Sequence, residues 1–322
     1  MQIPINLSRT TGACILFTIG LFVAGLWPFN FRTDNKAVLM PDGKGARFDA
    51  PLQRSKRDFG GIAFTPEQLS CRPQTVCEPG AVTIQIELIA ANEVSSCVER
   101  ILDIRRPDGS SAIYLGQWNA SLILRWSEHS REGSEPYREV GVAGVLATGL
   151  ESFITIVSGA SETSIFIDGR LRKNVPDVRL LKKDESLGGH KLYFGNSPEL
   201  GCPWAGSIRA FGIYGTAWTP AQVLAGRDAR IGSRWACASG LRAAAACYRF
   251  DRLQGEFIED ESGSANHLRM PSHLVFEKRF LVLPAGRRVS IYDFTSNLIG
   301  FIPLGFLICL RGLLVRATPA AG

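Results

Sequence analysis

A mostly β chain, an antiparallel two-sheet sandwich flanked by N- and C-terminal transmembrane helices, is the fold class that this 322-residue sequence predicts. Three observations carry the prediction. Between Phe153 and Tyr214 the apolar and polar residues alternate with period two, the pattern of half-buried strands rather than helices. Asp168-Gly169 interrupts that pattern with a dipeptide that tolerates positive φ in a two-residue hairpin turn. Uncharged apolar runs lie near both ends, at Thr10–Phe31 and Phe294–Leu310. The expected organisation is a helix within 1–31, a sandwich over 32–278 and a second membrane segment over 279–322.

The first run has 22 residues, enough at the helical rise to span a hydrocarbon core of about 30 Å. Trp27, Phe29 and Phe31 gather at its far end, where aromatic rings favour the headgroup layer, and Pro28 suits a helix exit. A cleaved secretory signal is the alternative. Arg9 alone is a thin positive region and Leu26-Trp27 would begin the mature chain, so a retained anchor fits better. Either reading carries the following residues across a membrane.

Short strands are predicted near Arg47-Phe48 and Gly61–Phe64. Longer ones follow at Ala81–Ala91, Cys97–Arg105, Ala112–Gly116, Ser121–Trp126 and Arg138–Val142, with Pro107-Asp108-Gly109 as a hairpin turn. Phe153–Val157, Ser164–Asp168 and Leu171–Lys173 form a meander, then Lys191–Asn196 and Gly206–Tyr214 complete the series, with a turn at Thr219–Val223. From Arg279 the composition becomes apolar again. Phe294–Leu310 is an uncharged run of 17 residues with Arg311 and Arg316 placed to snorkel. Basic residues outside each run predict both termini in the cytoplasm, residues 32–290 outside it, and an inner-membrane location facing the bacterial-type envelope.

Charge and cysteines narrow the partners. The net charge of +6 is spread over short pairs such as Arg105-Arg106 and Lys182-Lys183 without interleaved aromatics, so nucleic acid is not an expected partner. Of the eight cysteines, Cys14 and Cys309 lie in the apolar runs and the other six in the translocated part, where disulfides can form. Cys71–Cys77 and Cys237–Cys247 are candidate local bridges, leaving Cys97 with Cys202, although spacing alone does not choose among the pairings. No spacing fits a zinc template.

The stretch with Asp168-Gly169, Gly195-Asn196-Ser197, Trp204, Gly206, Ile208, Ile213-Tyr214 and Thr219–Val223 resembles the laminin-G-like branch of the concanavalin-A-like jelly-roll family. Tyr248-Arg249-Phe250-Asp251 with Asp260-Glu261-Ser262-Gly263 is similar to a second phrase of such domains. The resemblance covers roughly residues 36–275. It implies a recognition module for a glycan or envelope component, with no cofactor, or with calcium held by loop oxygens, although no acidic cluster marks a calcium site. Farther on, Asp293-Phe294-Thr295-Ser296-Asn297 and Phe301-Ile302-Pro303-Leu304-Gly305 resemble the signature of VanZ-like membrane proteins, here incomplete. That resemblance implies a resistance-type membrane component whose polar motif is Asp293, Asn297, Pro303 and Gly305, in contact with the lipid bilayer.

Catalysis has no visible residues. A polysaccharide hydrolase needs two carboxylates converging on one sugar bond, and the acidic stretch Glu256–Glu261 has the wrong spacing and sits in a turn. No G-x-S-x-G, H-E-x-x-H or P-loop occurs. A sugar-binding site needs an aromatic face and polar side chains beside it. Trp118-Asn119, between two predicted strands, meets that need best, with Trp126 further along. Trp204 and Trp218 are expected in the core.

Overall fold

The computed structural model describes residues 33–51, 59–71, 77–127, 137–231 and 244–274, with Gly12, Ile15, Leu16, Thr18, Ile19, Gly20 and Gly305. In chain order the strands are β1 (Thr33–Asp34), β2 (Ala37–Leu39), β3 (Ala46–Phe48), β4 (Ala63–Phe64), β5 (Val82–Ala90), β6 (Glu99–Arg105), β7 (Ser111–Trp118), β8 (Ser121–Ser127) and β9 (Tyr137–Val142). They continue with β10 (Glu151–Ser158), β11 (Glu162–Ile167), β12 (Arg170–Pro176), β13 (Lys191–Phe194) and β14 (Gly206–Tyr214). Helix α1 (Pro220–Ile231) precedes β15 (Ala246–Arg249), β16 (Phe257–Ile258), β17 (Leu268–Arg269) and β18 (His273–Leu274).

Two antiparallel sheets carry the fold. One runs β12-β11-β10-β5-β14-β3-β2, with β15 also on β14, and the other runs β16-β17-β4-β13-β6-β7-β8-β9. Alternation decides which residues face inward. Ile84, Ile86 and Leu88 of β5 and Ile154 and Ile156 of β10 are buried from the first sheet, and Ile113, Leu115, Leu122 and Leu124 from the second. At the centre Phe194 makes edge contacts with Phe211 at 4.8 Å and Phe250 at 5.5 Å between ring centroids. Each such ring contributes about 1.5–3 kcal/mol by leaving water. Thr33 and Asp34 pair with Leu274 and His273, so both ends of the sandwich leave from one two-stranded ribbon.

The hairpin predicted at Asp168-Gly169 forms between β11 and β12, with φ of 51° and 75° at its two residues. Thr219–Val223, expected as a turn, instead begins α1. Thr219 Oγ1 accepts from Gln222 N (3.3 Å) while Gln222 Oε1 accepts from Thr219 N (2.8 Å), a reciprocal cap that starts a helix with Pro220 in its first turn. The helix covers the outer face of the first sheet, where Val157, Phe166, Tyr214, Trp218 and Val223 form a second apolar cluster. Disulfides join Cys71 to Cys77 and Cys97 to Cys202. Cys247 is disulfide-bonded too, and Cys237 lies outside the described residues. Near the first bridge, the half-buried Glu185 accepts from Arg106 Nε (2.6 Å), His190 Nε2 (3.1 Å) and Lys182 N (3.1 Å). Burial raises its pKa, but these bonds outweigh it and hold the carboxyl down to about 2.

The flanking transmembrane helices are overturned: among the described residues no helix is long and apolar enough to cross a membrane. An apolar run sets a possible length, but a span needs about 20 continuous helical residues. The described helix α1 has 12 residues and a polar face. With the spans go the integral inner-membrane location and the topology read from them. Most of 10–31 and 293–310, including Asp293, Asn297 and Pro303, lies outside the described residues; Gly305 is helical. By contacts the chain divides into a unit Thr33–Leu274 and a second unit of Met1–Arg32 with Val275–Gly322.

One glycine is indispensable to the core. Gly195 has φ of 75°, and a Cβ there would lie 2.2 Å from Phe48 Cδ1. Gly195→Ala is expected to destabilise the protein by about 3 kcal/mol, combining backbone strain and overpacking, measured as a lowered midpoint in urea unfolding.

Candidate functional site

The candidate site lies where β6, β7 and β8 reach one end of the second sheet. Trp118 closes β7 opposite Ser121, and Asn119 turns the chain with φ of 52°. Asparagine tolerates this left-handed conformation better than most residues. The turn is fixed from outside: Asn119 Oδ1 accepts from Ser95 N (3.2 Å), and Asn119 N donates to Ser95 Oγ (3.1 Å). Trp118 therefore projects from a held turn and is 42% exposed.

Beneath it sits Gln117, fully buried. Its Oε1 accepts from Trp204 Nε1 (2.7 Å), while Nε2 donates to Asn92 O (2.6 Å) and Asn119 O (2.7 Å). The loop 91–98 is further tied by the Cys97–Cys202 disulfide and by Arg100 N donating to Cys202 O at 2.8 Å. A third loop joins them, with Thr148 N donating to Glu93 Oε1 (2.7 Å) and Leu146 N to Ala120 O (3.0 Å). On these three loops Val94, Trp118 and Leu150 are exposed apolar residues.

Two buried acceptors stand beside this framework without a hydrogen-bond partner, Glu99 Oε2 and Asn92 Oδ1. Glu99 pairs across the ladder with Gln117. Burial pushes its carboxyl up to about 7, against a smaller lowering by a hydrogen bond from Ser95. On the outer face of β7, Tyr114 and Gly116 share the phase of Trp118. Arg100 lies over the Tyr114 ring at 4.5 Å from its centroid and Arg125 at 5.7 Å. The Tyr114 hydroxyl donates to Val98 O, and burial holds its pKa well above the usual phenol value.

The predicted pair Trp118-Asn119 is thus at the surface, with Asn119 serving the turn. Trp126 is not brought to it: it is buried in the core cluster, because it shares the inward phase of Leu122 and Leu124. Trp204 and Trp218 are buried. Gln117, Glu99 and Tyr114 escaped the sequence reading, although a glutamine in the apolar phase of Ile113 and Leu115 was a readable signal. Among the described residues no group of three or more histidine, cysteine or acidic side chains could hold a metal.

No family model and no curated protein matches the chain. Among solved structures it is similar to a Bacteroides ovatus protein provisionally described as carbohydrate binding, at 12% identity and a TM-score of 0.45, covering 76% of this chain and 62% of that one. It is similar also to the binding domain of botulinum neurotoxin DC in complex with rat synaptotagmin II, at 12% identity and 0.44, covering 61% of this chain and 45% of that one. A SAP-like pentraxin from Limulus polyphemus matches at 10% identity and 0.40, over 57% of this chain and 82% of that one. The chain spans less than half the length of the neurotoxin structure and under two thirds of the Bacteroides one. Ligand and activity are therefore argued from the site alone. The VanZ-like phrase gains no support from these matches.

The Glu99 carboxyl makes a signed prediction. Its raised pKa means the folded state retains a proton that the unfolded state loses near pH 4.5, so stability falls as pH rises from 4.5 and levels off above about 7. Glu99→Gln should remove that fall, worth on the order of 2 kcal/mol after allowance for solvent screening, in unfolding titrations compared at pH 5 and pH 8.

Proposed function

We propose that the sandwich is a non-catalytic, laminin-G-like recognition module that binds a glycan of the cell envelope at the Trp118 edge. One observation carries the reading: an indole lies open to solvent on a turn immobilised by Ser95 and Gln117. Sugar rings present C–H faces that pack on aromatic rings, and a preset ring loses little entropy on binding. Calcium is not required by this reading.

The hydrolase alternative has less support. It needs two carboxylates sharing a cleft, and the two acidic residues of β6, Glu99 and Asp103, sit opposite Gln117 and Tyr114, which lie on opposite faces of β7.

The test is a glycan array and titration calorimetry on the full chain, with and without calcium. Trp118→Ala should weaken binding at least about tenfold, as loss of a central aromatic anchor does, without lowering the melting temperature. Absence of any glycan signal, or binding indifferent to Trp118→Ala, overturns the reading.

A further inference from the structure

Four residues before Trp118 on the same face, two guanidinium groups converge on one phenol ring. Tyr114 is almost fully buried beneath them, its ring leaning into the space left by Gly116, where an added Cβ would lie 2.9 Å from Tyr114 Cε2. Arg100 Nη1 donates to Asp103 Oδ2 (2.5 Å) and Arg125 Nε to Glu139 Oε2 (2.7 Å). Among the described residues these are their only side-chain hydrogen bonds, so Nε and Nη2 of Arg100 and both Nη atoms of Arg125 have no acceptor there. Both side chains remain partly open to solvent.

Asp103 does not compete for these donors. It is fully buried and its oxygens are occupied, Oδ2 by Arg100 and by Arg105 Nε (2.9 Å), Oδ1 by Ser111 Oγ (2.6 Å). The cluster therefore holds two guanidinium groups over one ring, each with one carboxylate bond and with N–H groups that have no acceptor among the described residues. A planar fork of this kind is matched by a carboxylate, which accepts two parallel N–H bonds.

We infer that Arg100 and Arg125, stacked on Tyr114, bind the carboxylate of an acidic sugar, so that the glycan recognised at Trp118 is a uronate-type chain. The inference rests on the Trp118 reading and deepens it. Residues 114 and 118 lie about 13 Å apart along the strand, at about 3.3 Å per residue. One ligand touching both is an oligosaccharide rather than a monosaccharide. An aromatic contact at one end and a charge-assisted contact at the other would fix its direction.

The test uses the full chain in affinity electrophoresis against polygalacturonate, alginate and hyaluronan, each beside its methyl-esterified form, and against neutral glucans. Expected is retardation by at least one acidic chain, lost on esterification and reduced by added salt. Arg125→Gln, which removes the surface pair with Glu139 and the contact over the Tyr114 ring, should weaken it about tenfold, and Arg100→Gln at least as much. Arg47→Gln, whose partner is Asp49, should change nothing. Melting temperatures of each variant separate lost binding from lost fold. Trp118-dependent binding to neutral glucans alone, or binding that survives esterification or Arg125→Gln, overturns the carboxylate assignment and leaves the glycan reading intact. No binding to any polysaccharide overturns both.

Discussion

One buried amide holds the Trp118 end of this sandwich together. Gln117 uses its carbonyl on Trp204 and both amide hydrogens on the backbones of Asn92 and Asn119, and the side chain is closed off from solvent. A buried amide left half-satisfied would cost about 1–3 kcal/mol for each unmade bond, so all three partners must be in place together. The loop 91–98, the turn after β7 and the approach to β14 are therefore set as one unit. Trp118 inherits its position from that unit.

Covalent and steric constraints act in the same direction. The Cys97–Cys202 bridge spans 105 residues of sequence and fastens the loop 91–98 beside the segment that carries Trp204. Closing so long a loop removes much freedom from the unfolded chain, and it does so where the polar network would otherwise have to order itself. Disulfides of this kind suit an oxidising compartment. Gly206 contributes by absence: a Cβ there would lie 2.2 Å from Trp204 Cζ2, so the indole can lie across β14 and reach Gln117 only over a glycine.

The sandwich was legible because burial writes itself into period two. Ile84-Ile86-Leu88 and Ile154-Ile156 state their faces without any partner, and Asp168-Gly169 states its turn. The candidate site was only half legible. Trp118 could be found, because a tryptophan beside an asparagine at a strand end is a local feature. Trp126 misled because a local reading cannot tell an inward tryptophan from an outward one unless the phase of the whole strand is followed from Leu122. Arg100, Tyr114 and Arg125 come from three strands, and only cross-strand register brings them together. Helix α1 was taken for a turn because Thr219-Pro220 reads as an interruption until Gln222 is seen to close the cap. Apolar runs at the ends were read as spans from their length, aromatic flanks and basic residues, but among the described residues no helix is long and apolar enough to cross a membrane.

A single irregularity in β6 bears on whether the site binds or cleaves. In an unbroken strand Glu99 and Asp103, four residues apart, would share a face and could form the carboxylate pair of a glycosidase. The ladder between β6 and β7 shifts between Arg100 and Leu102, placing one extra residue in β6. Glu99 is thereby set opposite Gln117 and Asp103 opposite Tyr114. The first carboxyl is buried at the sandwich end and holds its proton up to about pH 7; the second is buried outward and spent on Arg100, Arg105 and Ser111. Acting on one bond would require the two to share a cleft, and the bulge sends them to different places, one beside the buried Gln117 and the other against the guanidinium of Arg100. The same extra residue that denies the strand an acid pair gives the outer face its charged platform.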